Sequence, residues 1–506
     1  MKTFLRLGAL LLALPFSCPA AQTTNRPNLI YILADDLGYG DVRCLNPEGK
    51  IATPHMDRLA SEGMRFTDTH SSSAVCTPTR YGIMTGRYNW RSRLKSGVQG
   101  GMSPDLIEPG RPTVASFLKN EGYHTACFGK WHLGFAWQRH PNTPAYGDTI
   151  EKGPDGWNVD FTKPFGGGPL GVGFEHYFGI AASLDMVPYT FLRDERVTEI
   201  PTVDKSFAMT AGDERKGRTR TGPAAASFEA VNVLPEITNR AVSYIQEHAA
   251  EAKAGKPFFL YMPLNAPHTP IAPSAEWQGK SGISPYADFV MQTDATLGAV
   301  LDALDKSGLR ENTLVVMTSD NGCSDQANLP LLAEFGHNPN HVFRGHKADI
   351  FDGGHHIPFL VRWPGVVPPN STYKELACLN DWFATVADIL GKPVPAGGAE
   401  DSVSLLPALK GGSAPVRKRL IHHSVNGSFA LRQGQWKLIL TQDSGGWSAP
   451  NPGSPEAKAL PPVQLYDLSQ DIGETHNLQA EKPELVSQLT RVLLGEIANG
   501  STPAAR

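Results

Sequence analysis

The sequence predicts an α/β protein with a large, mostly parallel sheet sandwiched by helices. A smaller C-terminal α+β subdomain, a short antiparallel sheet plus a helix, is expected to follow it. Three observations predict this. Nearly continuous apolar runs of strand length alternate with segments of helical character, the signature of a parallel sheet covered on both faces. Four of those runs are followed by polar side chains able to do chemistry. From about residue 405 the character changes to short antiparallel strand candidates and one terminal helix.

The chain has 506 residues, 41% of them apolar and 19% charged, which excludes a disordered chain or a coiled coil as the main architecture. A net charge of −4 gives no case for nucleic acid or for a polybasic membrane surface. Lys2 and Arg6 precede the apolar run Leu7 to Phe16, and mostly small residues follow to Ala21. This pattern reads as a secretory signal, too short to span a membrane, with cleavage expected after Ala20 or Ala21. Cys18 raises a lipoprotein reading, but Pro15-Phe16-Ser17 is a poor lipidation box. The expected division is a signal over 1–21, a catalytic domain over 22–404 and the C-terminal subdomain over 405–506. The mature protein is expected to be exported, periplasmic or secreted, with no membrane span. Five cysteines remain after the signal, and an odd thiol in an exported protein needs an explanation.

In chain order, Asn28 to Ala34 is the first buried strand and ends in Asp35-Asp36. Thr53 to Gly63 reads as a helix with Thr53 as cap and Pro54 in the first turn. Thr113 to Gly122 is a second helix, and His124 to Phe128 a short strand followed by Gly129-Lys130-Trp131-His132. Gly134 to Gly173 is rich in glycine and proline and reads as long loops. Residues 202–223 carry Lys205, Arg215, Lys216, Arg218 and Arg220; they read as a solvated loop or as a basic rim for an anionic substrate. Pro235 to Ala254 is helical, Pro257 to Met262 a strand followed by His268, and Tyr286 to Ser307 a long amphipathic helix. Thr313 to Thr318 is a buried strand ending in Ser319-Asp320-Asn321, and Ile357 to Arg362 a further strand. Strand candidates at 429–432, 436–441 and 464–468 and a helix over 483–497 complete the chain.

In open α/β sheets ligands bind beyond the carboxyl ends of the strands, so Asp35, Asp36, Lys130, His132, His268, Asp320 and Asn321 are expected at one site. Two acidic pairs directly after buried strands offer hard oxygen donors of the kind calcium and magnesium take.

Cys76-Thr-Pro78-Thr-Arg80, followed by Thr85-Gly86-Arg87, resembles the signature of type I sulfatases, arylsulfatase-like members of the alkaline phosphatase superfamily. Five other segments carry the same resemblance: Asp35-Asp36-Leu-Gly-Tyr-Gly-Asp41, Gly129-Lys130-Trp131-His132, Pro267-His268-Thr-Pro270, Ser319-Asp320-Asn321-Gly322 and Arg344-Gly-His-Lys347. A weaker segment, Phe178 to Asp185, resembles one whose Ser, here Ser183, touches sulfate.

The resemblance implies several roles. Cys76 is oxidised to formylglycine by a formylglycine-generating or anaerobic sulfatase-maturating enzyme, which would also explain the odd thiol. Calcium, with magnesium as second choice, is held by Asp35, Asp36, Asp320, Asn321 and the modified Cys76. Arg80, Lys130 and Lys347 neutralise sulfate. The hydrated aldehyde attacks sulfur, His268 protonates the leaving oxygen, and His132 takes the proton that lets sulfate be expelled. Ser183, Asp185 and His346 are the expected substrate-binding residues. The substrate is expected to be a sulfated carbohydrate, with galactose or N-acetylgalactosamine sulfate as first choice and O6 as the expected position. Rivals are a phosphonate monoester or phosphodiester hydrolase of the same superfamily and a non-catalytic scaffold that binds sulfated glycans. His140, His176, His422 and His423 read as surface or structural, and Trp90, Arg91 and Arg93 as either substrate rim or core.

Overall fold

The computed structural model describes residues 26–499, so the signal and Cys18 lie outside the described residues. The main sheet holds β1 (Asn28–Asp35), β2 (Met64–Phe66), β3 (His124–Lys130), β4 (His176–Ile180), β5 (Leu192–Arg193), β6 (Arg196–Val197), β7 (Phe258–Pro267), β8 (Thr313–Ser319), β9 (Phe359–Arg362) and β10 (Ser371–Tyr373). Their order is β10-β2-β9-β8-β1-β7-β3-β4-β5-β6. The central run from β8 to β4 is parallel throughout. β9 pairs antiparallel with β8 and β2, and β5 with β4 and β6.

β1 shows why this sheet is buried on both faces. Its side chains alternate, with Ile30, Ile32 and Ala34 entering one core and Leu29, Tyr31 and Leu33 the other. Over the first face pack α4 (Val233–Glu247) and α5 (Pro285–Lys306), through residues such as Ile237 and Leu297. Over the second pack α2 (Cys76–Thr85), α3 (Val114–Asn120) and α6 (Trp382–Ile389), through Ile83, Leu118 and Phe383. The remaining expected helix is α1 (Pro54–Ser61).

Caps set the boundaries. Thr113 accepts a hydrogen bond from Ser116 N and starts α3, and Ser284 accepts one from Ala287 N and starts α5. Thr53 departs from its expected role. It precedes α1, but its Oγ1 accepts from Arg43 N at 3.0 Å, so it ties a loop instead of capping. The helix expected over 235–254 is two: α4 ends at Glu247, and a short helix, Ala249–Lys253, follows His248. Residues 202–223 are also not a plain loop, because Val203–Lys205 pairs antiparallel with Gly222–Ala224.

The C-terminal sheet is a meander of β11 (Arg419–His423), β12 (Phe429–Gln433), β13 (Trp436–Ile439) and β14 (Gln464–Asp467), each antiparallel to the next. α7 (Pro483–Ala498) covers it with Leu489 and Leu493. Tyr88 and Trp90 belong to this same core, so Trp90 is a packing residue. Lys437 on β13 is fully buried and pairs with Asp352 at 2.6 Å and Glu474 at 2.7 Å, joining this sheet to the segment after Lys347. All five cysteines of the described residues are free, and four of them are buried.

His422 and His423 are buried, and the structural reading of them holds. Burial pulls His423 down to about 4, although its Nε2 meets the Lys95 carbonyl at 2.8 Å. An unfolded histidine protonates near pH 6.5, so between about 6.5 and 4 the unfolded chain binds the extra proton and stability falls as pH falls. The contribution is complete above about pH 6.5 and amounts to about 3 kcal/mol at most across that window. His423→Gln is expected to reduce the acid loss of stability by up to one proton's worth of slope. Urea denaturation across this pH range measures it, and an unchanged slope would contradict the assignment.

Candidate active site

The four central strands deliver their carboxyl ends to one edge, as expected. β1 ends at Asp35 and turns through Asp36, β3 ends at Lys130 and is followed by His132, β7 runs into His268, and β8 into Asp320-Asn321. Asp36 and His132 take left-handed backbone, with φ of 67° and 60°. For side chains of this size that conformation costs energy and recurs at functional sites.

Cys76 and Arg80 come from α2, whose first residue is Cys76. The sequence reading did not assign this helix, although Pro78 in its first turn and Gly86 at its left-handed end were available signals. The thiol therefore sits at a helix N-terminus, where the backbone dipole favours negative charge. Lys347 arrives from the loop between β8 and β9.

Three buried cations interlock with three buried carboxylates. Lys130 Nζ lies 2.6 Å from Asp35 Oδ2, and Lys347 Nζ donates to Asp36 Oδ2 at 2.7 Å. Arg80 donates to Asp320 Oδ2 from Nε at 3.1 Å and Nη2 at 2.7 Å, and its Nη1 holds the Lys130 carbonyl at 2.8 Å. Asn321 Nδ2 donates to Asp36 Oδ1 at 2.7 Å, and His268 Nε2 lies 3.7 Å from Asp36 Oδ2. Burial works against the charge on Asp35, but Lys130, His268 and Arg80 together hold it well below the carboxylate range. Burial and the neighbouring Asp35 push Asp320 up to about 7. Burial opposes the charge on Lys347 too, yet Asp36 beside it keeps its pKa above the usual lysine range.

The two histidines are set differently. His132 Nε2 lies 2.7 Å from the Gln99 carbonyl, which fixes the proton on that nitrogen and leaves Nδ1 buried, unpartnered and free to accept. Burial, Lys130 and Arg80 hold its pKa well below the ordinary value. His268 Nδ1 faces the Thr269 carbonyl, leaving Nε2 on the side of Asp36. Burial and Lys347 lower its pKa as well. Burial pushes the Cys76 thiol up despite Lys130 and Lys347 nearby, so an unmodified Cys76 is a poor source of thiolate.

The donor set suits a divalent cation. Asp35 Oδ1 and Asn321 Oδ1 are buried without a hydrogen-bond partner, and oxygens of Asp35 and Asp36 lie within 4.8 Å of each other and of a His268 nitrogen. Orphaned oxygens beside converging carboxylates are what a hard cation requires.

The weaker expectations fare unevenly. Ser183 and Asp185 lie just past β4, whose Ile180 pairs with Lys130, and His132 N donates to Ala181 O at 2.9 Å. Ser183 Oγ and Asp185 Oδ1 are buried and unpartnered. His346 is partly buried, with Nδ1 on the carbonyl of Lys347 at 3.0 Å. Arg91 pairs with Asp401 and Arg93 with Asp148. In the basic segment Lys205, Arg215 and Arg218 pair with neighbouring acids, while Arg220 reaches Asp185 at 2.8 Å. Gln99 was not among the expected site residues, and Arg220 was expected only within a solvated loop or basic rim. They act through contacts between distant segments, for which local pattern carries no signal.

A family model for sulfatases matches residues 27–392. The chain belongs to the sulfatase family. It is 33% identical over 510 residues to the N-acetylgalactosamine-6-O-sulfatase of Bacteroides thetaiotaomicron, covering 93% of each chain. It is 31% identical over 526 residues to human arylsulfatase A, covering 98% of this chain and 94% of that one. A solved sulfatase structure from work on glycosaminoglycan metabolism in Bacteroides thetaiotaomicron superposes with a TM-score of 0.78 at 32% identity, covering 94% of this chain and all of the other. The sulfatase is thus a sulfuric ester hydrolase, and the buried charge cluster at the strand ends is where the family motifs meet.

Proposed function

We propose that this sulfatase removes sulfate from a carbohydrate, first choice a 6-O-sulfated N-acetylgalactosamine or galactose, and that it does so with Cys76 matured to formylglycine. The observation that carries the reading is the convergence of Arg80, Lys130 and Lys347 on the acidic cluster beside Cys76. Three fixed cations suit an anionic ester with a poor leaving group, because charge neutralisation and positioning dominate displacement at such a centre. The substrate class is supported by the relative named above, and the exported location by the signal-like leader.

Asp35, Asp36, Asp320 and Asn321 would hold a hard divalent cation, calcium as first choice and magnesium as second, and it would supply Lewis-acid polarisation of the sulfate oxygens. A hydrated aldehyde at position 76 supplies two hydroxyls on one carbon, one to attack sulfur and one whose deprotonation expels sulfate. The chain's own residues do the rest. Lys130 and Lys347 flank the reacting group, and Arg80 fixes Asp320 and the Lys130 carbonyl. His268, its Nδ1–H held on the Thr269 carbonyl, takes up a second proton at Nε2 when the anionic substrate binds and delivers it to the departing sugar oxygen. His132, its Nε2–H anchored on Gln99, accepts a proton at Nδ1.

The mass of the tryptic peptide covering residues 66–80, from protein made in its native host, tests the maturation. Sulfate release from N-acetylgalactosamine 6-sulfate tests the activity. An unmodified thiol together with no sulfate release from any saccharide would leave a glycan-binding scaffold as the better account. Faster turnover of a matched phosphate or phosphonate ester would favour the hydrolase rival.

A further inference from the structure

Three buried imidazoles meet where the catalytic domain rests on the C-terminal sheet, and none of them takes part in the chemistry above. His70 ends the short strand Thr69–His70, His355 ends the short helix Asp352–His355, and His422 lies on β11. All three side chains are fully buried. Each offers a ring nitrogen, and the three nitrogens lie within 4.8 Å of one another. The rings themselves touch. His355 stacks on His422 with centroids 3.7 Å apart, and His70 lies 5.1 Å from the first and 4.9 Å from the second.

Their hydrogen bonds leave lone pairs turned toward one another. Asp68 Oδ1 lies 2.8 Å from His70 Nε2, so that nitrogen carries the proton and Nδ1 is bare. The Ile350 carbonyl lies 3.1 Å from His355 Nε2 and does the same for His355. The two Nδ1 atoms then face each other at 3.0 Å as two acceptors with no proton between them. Moving the His355 proton to Nδ1 would make that contact a hydrogen bond, with Lys437 Nζ donating to Nε2 at 3.3 Å. It would still leave His422, whose two ring nitrogens are both buried without a partner. A buried imidazole satisfied at neither nitrogen is rare and calls for a ligand. Burial lowers the pKa of all three rings, which keeps them in the neutral form that binds a metal. The surrounding charge also suits a cation, because three carboxylates, Asp68, Asp352 and Glu474, pair with two side-chain cations, Arg432 and Lys437.

We propose that His70, His355 and His422 form a second metal site, separate from the acidic cluster, which takes a late first-row divalent cation of the zinc type. Imidazole ligands suit zinc, copper or nickel, whereas the oxygens of the acidic cluster suit calcium or magnesium, so the two sites select different ions. Asp68 is the outer carboxylate that fixes the His70 tautomer, the arrangement usual behind a metal-bound histidine. Closing on the ion requires the His422 ring to turn out of its stack on His355. Three imidazoles with a water in the fourth position are an established zinc coordination. The ion would tie two segments of the catalytic domain to β11, so its work is to lock the two domains together. The proposal is independent of the carbohydrate reading.

The test strips the full-length protein with a chelator, saturates it with calcium to fill the acidic cluster, and then titrates it with zinc chloride by calorimetry. Bound metal is counted after gel filtration. The wild type is expected to retain one zinc per chain beside its calcium. Zinc at about 100 times its Kd is expected to raise the thermal midpoint by about 2–3 °C. Asp68→Ala is expected to weaken zinc about 10- to 100-fold and His422→Gln by more, both with calcium uptake at the wild-type level. Asp68 is partly exposed, so Asp68→Ala carries the test if His422→Gln fails to fold. A wild type that retains no zinc overturns the site, and the cluster is then the metal-free network with Lys437 donating to His355. Wild-type zinc affinity in either variant overturns it too, since the ion would then sit elsewhere.

Discussion

Cys76→Ala is expected to abolish sulfate release, with a loss of about 10⁵-fold or more in kcat, the scale seen when an attacking group is removed outright. The fold is expected to survive. Cys76 is a small, 2% exposed residue at the first position of α2, and alanine is a strong helix former of smaller size. The charges around it do not depend on the sulfur, because Lys130, Lys347 and Arg80 each have a carboxylate partner. Thermal unfolding of the variant within a few degrees of the wild type, together with absent turnover, is the expected pair of results. Turnover at the wild-type rate would remove Cys76 from the chemistry and return the site to a cation-assisted attack by water.

His268→Ala is expected to divide substrates by their leaving groups. A sugar oxygen departs as a poor alkoxide and needs a proton in the transition state, so loss of the acid is expected to cost about 10²- to 10⁴-fold in kcat/KM on a sugar sulfate. An aryl sulfate with an acidic phenol leaves as a stable anion and is expected to lose far less. The ratio of the two kcat/KM values, variant against wild type, measures the division. Equal losses on both would mean that His268 serves the acidic cluster through its 3.7 Å contact with Asp36 and not the leaving group.

Much of the site was legible because it is local. A buried parallel strand must be apolar along its whole length, so the polar residues that follow it mark the edge where ligands bind. Asp35-Asp36, Lys130, His268 and Asp320-Asn321 could be read this way. The six motif segments then pointed to the family. α2 was missed because its face toward the sheet is uninterrupted and all ten residues are buried, which erases helical periodicity. β11 was missed although it carries His422 and His423, since two histidines in a short run give no alternation to read. The split at His248 and the reassigned hydroxyl of Thr53 are single-residue departures, below what pattern resolves.

By itself the sequence determined the α/β class, the order of the elements, the smaller C-terminal sheet and helix, and the family-specific residue types at the ends of four strands. These follow from periodicity and composition, which act over a few residues at a time. Tertiary structure alone decided which carboxylate each cation meets, which nitrogen of His132 carries the proton, and that Trp90 is core while Trp447 stands in water. It also decided that the C-terminal subdomain lies directly on Ala348 and Asp349, beside the catalytic lysine. Those outcomes join residues separated by 33 positions for His132 and Gln99, 95 for Lys130 and Asp35, and 311 for Lys347 and Asp36. Long-range electrostatics and packing select them, and no local stretch of sequence contains both partners.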